Sequence, residues 1–363
     1  MKSVRVVGIL LFFSLLSGVS AGAAAEPPEW ARFFRIEDLP EGRRAIVGNA
    51  ALGVPEEQYL LGRDVSIPVR RVVILSSSYA PAFEALGSLD AVAAISRGHW
   101  FYSRKVEQRL DDGTLRAVGS GDAVDLEAIV ATAADLVIAY PDALPPVARR
   151  RLERTFGIPV IYSWDYLEEH PLGRAEWVLL VGDLLGKRPL AEEVFAGIRR
   201  DYLEIAERVS RAPAPGPEAE GRPTILLNAP VGDVWPVPRL GSHAVRFVRD
   251  AGGTSLLSSE GIGVSLLDPE VVLREAPRAE IWLNPGSAVS MESLRRTVRF
   301  APQIAAFRSG RVYAPIRRIS PEGAWDIFES GYLYPNRVLR DLVAILHPEI
   351  LPDRDLYYYR RLE

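Results

Sequence analysis

The chain has 363 residues and is mildly acidic, with 43 Lys and Arg against 47 Asp and Glu and a formal net charge of −4. That balance disfavours nucleic acid as a partner, because a phosphate backbone is held by a basic surface. There is no cysteine, which excludes disulfides, thiolate zinc sites and a cysteine nucleophile.

In chain order, Lys2 and Arg5 precede an apolar run over residues 6–16, and small residues follow up to Ala25. The pattern predicts a signal peptide over residues 1–25. Its apolar core is too short for a permanent membrane anchor. With no cysteine to carry a lipid, the expected product is periplasmic and soluble after cleavage. Residues 26–70 alternate around a Pro40-Glu41-Gly42 turn, which predicts a hairpin. Strands are expected at 71–76, 89–95, 134–140 and 158–163. Between them lie a helix beginning at Pro81 and stopped by Gly87, a helix at 126–132 capped by Asp125, and a helix at 149–156 stopped by Gly157. Strand–helix alternation predicts a parallel sheet covered by helices, forming a first lobe over residues 26–173.

The alternation breaks over residues 174–212, the expected connecting segment. Leu190, Val194, Ile198, Tyr202, Ile205 and Val209 fall on one helical face with charges opposite, predicting a helix from Leu190 to Ser210 about 31 Å long. A Pro/Gly-rich linker, APAPGPEAEGRP (212–223), follows. Alternation then restarts as a second lobe over 213–363, with strands at 224–228, 279–284 and 311–314 and helices at 244–251, 269–275, 291–298 and 335–346. One local design occurs twice, as VDLEAIVATAADLVIAY (124–140) and LDPEVVLREAPRAEIWL (267–283). In each copy an acidic cap opens a short helix that leads to a buried strand. Each presents a carboxylate, Glu127 or Glu270, in a first turn where free N–H groups favour negative charge. The expected fold class is α/β: two Rossmann-like lobes, parallel sheets flanked by helices, joined by one long α-helix.

Open α/β sheets place ligands beyond the carboxyl ends of their strands. There the first lobe offers Tyr79, then Arg97, His99, Trp100 and Tyr102 around the ring-rich run GHWFY, then Tyr140. The second offers Trp235 and Arg239 in a proline-stiffened loop, then Arg317, Arg318 and Trp325. Such rings suit the faces of a large planar ligand or metal chelate, and equally a packed core. The guanidinium groups suit an anionic chelate. The four histidines lack metal-ligand spacing, so no protein-held metal is expected. No phosphate loop, GxSxG or dinucleotide fingerprint is present. No catalytic residue is therefore assigned, and a secreted α/β hydrolase is the alternative of a different class.

Six segments then carry a family resemblance: LSSSYAPAFEALGSLDAVAAIS (75–96), VGSGDAVDLEAIVATAADLVI (118–138), FGIPV (156–160), HPLGRAEW (170–177), DAGG (250–253) and NRVLRDLVAILHPEILPD (336–353). In this order the chain resembles class III periplasmic substrate-binding proteins of ABC importers, the group that binds ferric siderophores, cobalamin and haem. It departs from the group's pattern at Asp125, where Asn is common, and at Ala134, where Pro is common. The resemblance implies a monomeric, non-enzymatic carrier without a cofactor of its own. The ligand, an iron- or cobalt-containing chelate, would lie between the lobes: a ferric siderophore first, with a corrinoid or haem as alternatives. Glu127 and Glu270 would dock onto arginines of the membrane permease, whose ATP-driven partner would force the lobes apart.

Overall fold

The computed structural model describes residues 28–212, 221–352 and 355–363. The expected signal peptide and most of the expected linker lie outside the described residues. An antiparallel sheet opens the described chain: β1 (Phe34–Leu39), β2 (Gly42–Asn49) and β3 (Val54–Leu60), paired in that order. The expected hairpin is thus the first part of a three-stranded meander.

The first lobe is a five-stranded parallel sheet of β4 (Val72–Ile74), β5 (Val92–Ile95), β6 (Arg116–Ala117), β7 (Leu136–Ala139) and β8 (Val160–Tyr162), in the order β6-β5-β4-β7-β8. Its central strands are short apolar runs because helices cover both faces. The second lobe contains β9 (Thr224–Leu227), β10 (Trp235–Pro238), β11 (Thr254–Ser255), β12 (Val264–Leu267), β13 (Ile281–Leu283), β14 (Val312–Ala314) and β15 (Arg360–Arg361). Its sheet runs β11-β9-β13-β14-β15 and is parallel except for the last strand, whereas β10 and β12 form a separate antiparallel ribbon. Strand order reverses at β4/β7 in one sheet and at β9/β13 in the other. The crevices where such sheets bind ligands therefore open at these two points.

Helix ends follow the expected chemistry. Asp125 accepts the Ala128 N–H and caps the helix Leu126–Ala131, and Asp268 accepts the Glu270 N–H and caps Pro269–Glu275. Gly157 closes Pro146–Phe156 in the left-handed region, at φ 67°. The expected strand at 89–95 is shorter, because residues 89–91 form a 3-10 turn before β5.

The connection between lobes is more than one helix. Two short, wholly buried helices, Pro171–Glu176 and Val178–Leu184, lead into the long helix Arg188–Arg211. That helix has 24 residues and is about 36 Å long. Its most buried face is Ala191, Phe195, Ile198 and Tyr202, whereas Leu190, expected on that face, is exposed. The largest hydrophobic core draws residues from both sheets, the buried helices and the long helix; the outer face of each lobe has its own smaller core.

Buried carboxylates on and just before these helices are held by backbone N–H groups or by arginines. Glu176 accepts N–H groups of Glu29, Trp30 and Ala31, and Glu168 accepts those of Arg32 and Phe33 and the Trp177 indole. Asp183 is held by Arg43 and Arg188. No helix among the described residues is long and apolar enough to cross a membrane.

Candidate functional site between the lobes

Beyond the carboxyl ends of β4, β5, β6 and β7 lies an open cleft of about 940 Å3. Ser76 and Ser77 line it after β4, Arg97, His99 and Trp100 after β5, residues 120–123 after β6, and Tyr140 and Asp142 after β7. The second lobe closes it with residues 322–325 and Phe328, which follow β14. The volume is at the upper end for small-molecule sites, so it suits a large ligand. Gly119 shapes one wall. Its φ is 72°, and a Cβ there would lie 2.2 Å from the Ala123 carbonyl oxygen, so only glycine lets the 120–123 loop fold back. A depression of about 1020 Å3 elsewhere is walled by long charged side chains of the Arg188–Arg211 helix. No strand-end loop of either switch point reaches it.

Two aromatic platforms face the cleft. Trp100 is 44% exposed, with the Arg97 guanidinium 5.0 Å from its ring and His99 meeting it edge-on at 5.8 Å. Across the cleft Trp325 stacks on Phe328 at 5.6 Å and 14°, and Phe328 is 52% exposed. Phe328 also closes a chamber of about 100 Å3 walled by Leu227, Leu283, Tyr332 and Arg174.

Arg97, His99, Trp100, Tyr140 and Trp325 are therefore brought together in one cleft. The other residues marked from the sequence are elsewhere. Tyr79 is buried behind the wall, its hydroxyl donating to Ser163. Tyr102 lies under the Arg318 guanidinium, 5.0 Å away. Trp235 is fully buried in the outer core of the second lobe, 5.8 Å from Trp282, with its indole N–H donated to the Leu227 carbonyl oxygen at 2.9 Å. The expected loop around it is strand β10. Arg239 donates to Ser265 on the ribbon. Arg318 is paired with Asp326 and packed on Tyr357, and the neighbouring Arg317 is exposed outside the cleft lining. Arg97 is the one guanidinium in the lining, beside the carboxylates Asp122, Asp142 and Glu322. Glu127 and Glu270 are both exposed in first helical turns.

Phe328 was not singled out from the sequence. Its signal is the spacing from Trp325, since residues three apart eclipse on a 3-10 turn and Asp326–Phe328 form one. The serines that could mimic a nucleophile bond to one another and to a phenol: Ser76 Oγ to Ser78 Oγ at 2.9 Å, and Ser78 Oγ to Tyr140 at 2.9 Å. Burial, with the Asp165 carboxylate next, pushes the Tyr140 phenol well above its ordinary range. Among the described residues no group of three or more His, Asp or Glu side chains is placed to hold a metal ion.

Buried polar contacts join the lobes beneath the cleft. Glu329 of the second lobe accepts the N–H groups of Tyr102 at 2.6 Å and Ser103 at 3.1 Å. Arg174 lies 3.7 Å over the Tyr332 ring and bonds His243 Nε2 at 3.0 Å. Burial, chiefly, pushes the Glu329 carboxyl up to about 8 and that of Glu168 to about 7, from an ordinary 4.5. Desolvation lowers His170 to about 4 and, with Arg174 beside it, takes His243 well below 6.5.

Each raised acid keeps a proton in the fold that the unfolded chain has already lost. Its stabilisation is full below about pH 4.5 and drains as pH climbs through the folded value. The histidines act with the opposite sign, but only below 6.5. Above that the acids dominate, and stability is expected to fall on the order of 2–3 kcal/mol between pH 6.5 and 8.5. Urea denaturation at the two pH values checks this, and Glu329→Gln should flatten most of the slope.

Residues 72–315 match the family model described as periplasmic binding protein. An uncharacterized lipoprotein of Methanocaldococcus jannaschii is 22% identical over 307 residues, spanning 81% of this chain and 69% of that one. A periplasmic haem-binding protein from Pseudomonas aeruginosa superposes with a TM-score of 0.57 at 19% identity, over 77% of this chain and 93% of its own. The haem-binding protein RhuT from Roseiflexus sp. RS-1 gives 0.59 at 18%, over 77% and 99%. The vitamin B12 binding protein BtuF of Vibrio cholerae gives 0.55 at 15%, over 77% and 97%. At these identities the likeness is one of fold.

Proposed function

The chain belongs to the periplasmic binding protein family, whose members bind small molecules and work with ABC importer permeases, and on that premise we propose that it captures a large ring-shaped metal chelate of the tetrapyrrole class, haem or a corrinoid, and delivers it to such a permease. The observation that carries this reading is the pair of aromatic platforms, Trp100 on one wall and Trp325 with Phe328 on the other, facing a single cleft of about 940 Å3. Flat π-faces on opposite walls suit a ligand that presents two broad faces. A ferric siderophore, favoured by the sequence for its arginines, loses that support. Arg239, Arg317 and Arg318 lie outside the cleft lining, and three carboxylates accompany Arg97 there.

The test is titration of the purified protein with hemin, cyanocobalamin and a ferric catecholate, followed by tryptophan fluorescence and visible absorption. A tetrapyrrole is expected to quench at micromolar concentration or below. Trp325→Ala and Trp100→Ala are each expected to weaken it about tenfold, in line with loss of a stacked aromatic contact in a desolvated site. Tight binding of the ferric catecholate with no response to either tetrapyrrole would overturn the ligand class. Turnover of the bound compound would overturn the carrier reading.

A further inference from the structure

The β10–β12 ribbon shows an apolar face to solvent. Trp235 and Val237 of β10 point into the outer core of the second lobe. On β12, Val264 and Leu266 face outward, 52% and 65% exposed, opposite Pro238 and Pro236. Ile262 and Leu240 extend the exposed row at one end and Val234 at the other. A run of exposed large aliphatics on one short ribbon is unlike the scattered apolar residues of an ordinary surface. Carboxylates border the row: Asp233, Glu260, Asp268 and Glu270 are exposed, and none has an ion pair among the described residues. The one guanidinium on the ribbon, Arg239, is tied to Ser265. β12 runs directly into the helix that presents Glu270. The matching position in the first lobe has no such ribbon, since Glu127 follows a 3-10 turn and an extended loop.

We propose that this ribbon is a docking strip for the extracytoplasmic face of the importer's membrane permease, with its aliphatic row on apolar permease side chains and its bordering carboxylates meeting permease cations. The proposal rests on the delivery reading above and deepens it, by assigning the second lobe an apolar contact on a ribbon that has no counterpart before Glu127. Two arguments select this occupant. The row holds five exposed aliphatic side chains, far fewer than the roughly 20–30 residues a side of a stable interface, so a second copy of the chain would be held weakly by it. Unpaired carboxylates repel an anionic lipid surface and attract a cationic protein rim.

The experiment measures association of the full mature protein with its cognate permease–ATPase complex in nanodiscs, without ligand and with hemin bound. Leu266→Asp is expected to weaken association about tenfold and Leu266→Ser severalfold, with thermal stability and hemin affinity unchanged; the milder variant covers any folding defect of the first. If both variants associate like wild type while Glu270→Lys does not, the ribbon inference is wrong and delivery stands. If wild-type protein fails to associate at all, the delivery reading falls and takes the ribbon with it. Equal binding to protein-free vesicles of the same lipids would overturn the permease as occupant, as would a dimer that Leu266→Asp dissolves.

Discussion

Trp235→Ala is expected to cost about 3–5 kcal/mol of folding stability and to leave ligand affinity of the folded protein unchanged. The indole is fully buried among Trp282, Phe300 and the strands of the outer core, so truncation leaves a large cavity. It also removes the donor to the Leu227 carbonyl oxygen, a buried acceptor at the end of β9. Trp325→Ala should do the reverse, with a small stability change and weakened ligand binding. Guanidinium denaturation and fluorescence titration of both variants separate the two roles. A Trp235→Ala protein of normal stability that binds ligand poorly would return Trp235 to the ligand and contradict the packing described here.

Reversing both exposed carboxylates, Glu127→Lys with Glu270→Lys, is expected to cut ligand uptake through the importer about tenfold or more, while ligand binding in solution stays intact. Each residue sits in the first turn of a short helix, one per lobe. A lysine there opposes the helix dipole at about 0.3–1 kcal/mol, too little to unfold the protein. An exposed ion pair contributes about 0–1 kcal/mol. The pair would therefore set the register of docking more than its strength, and reversal acts by placing like charges against the permease. Single reversals should give intermediate uptake. Wild-type uptake by the double variant would remove these carboxylates from the docking face.

The fold was legible in the sequence where signals are local. Asp125 and Asp268 cap helices at the expected places, Gly157 ends one, and the helix Pro335–Leu346 begins and ends as expected. In the first lobe Arg97, His99, Trp100 and Tyr140 were legible, because the strands before them are followed directly by cleft loops, whereas Tyr79 and Tyr102 turn away from the cleft. In the second lobe only Trp325 of the marked residues lines the cleft; the others lie elsewhere for reasons that are non-local. Asn228 takes φ 66° and the chain then turns into β10, whose partner β12 is some 30 residues further on, so Trp235 faces inward. Arg318 is captured by Asp326 and two tyrosines from different parts of the chain. No spacing rule within one segment reports such pairings. The Leu190 misplacement has a simpler cause: at the first turn of the long helix the buried stripe begins one residue later, at Ala191.

The backbone contacts of Glu168 and Glu176 bear on how far the amino terminus can be trimmed. Five consecutive N–H groups, from Glu29 to Phe33, are spent on those two buried carboxylates. Proteolytic maturation that stops short of Glu29 leaves this clasp whole. A cut a few residues later would strand both carboxylates in a water-poor interior, and an affinity tag belongs at the far end of the chain or upstream of this stretch.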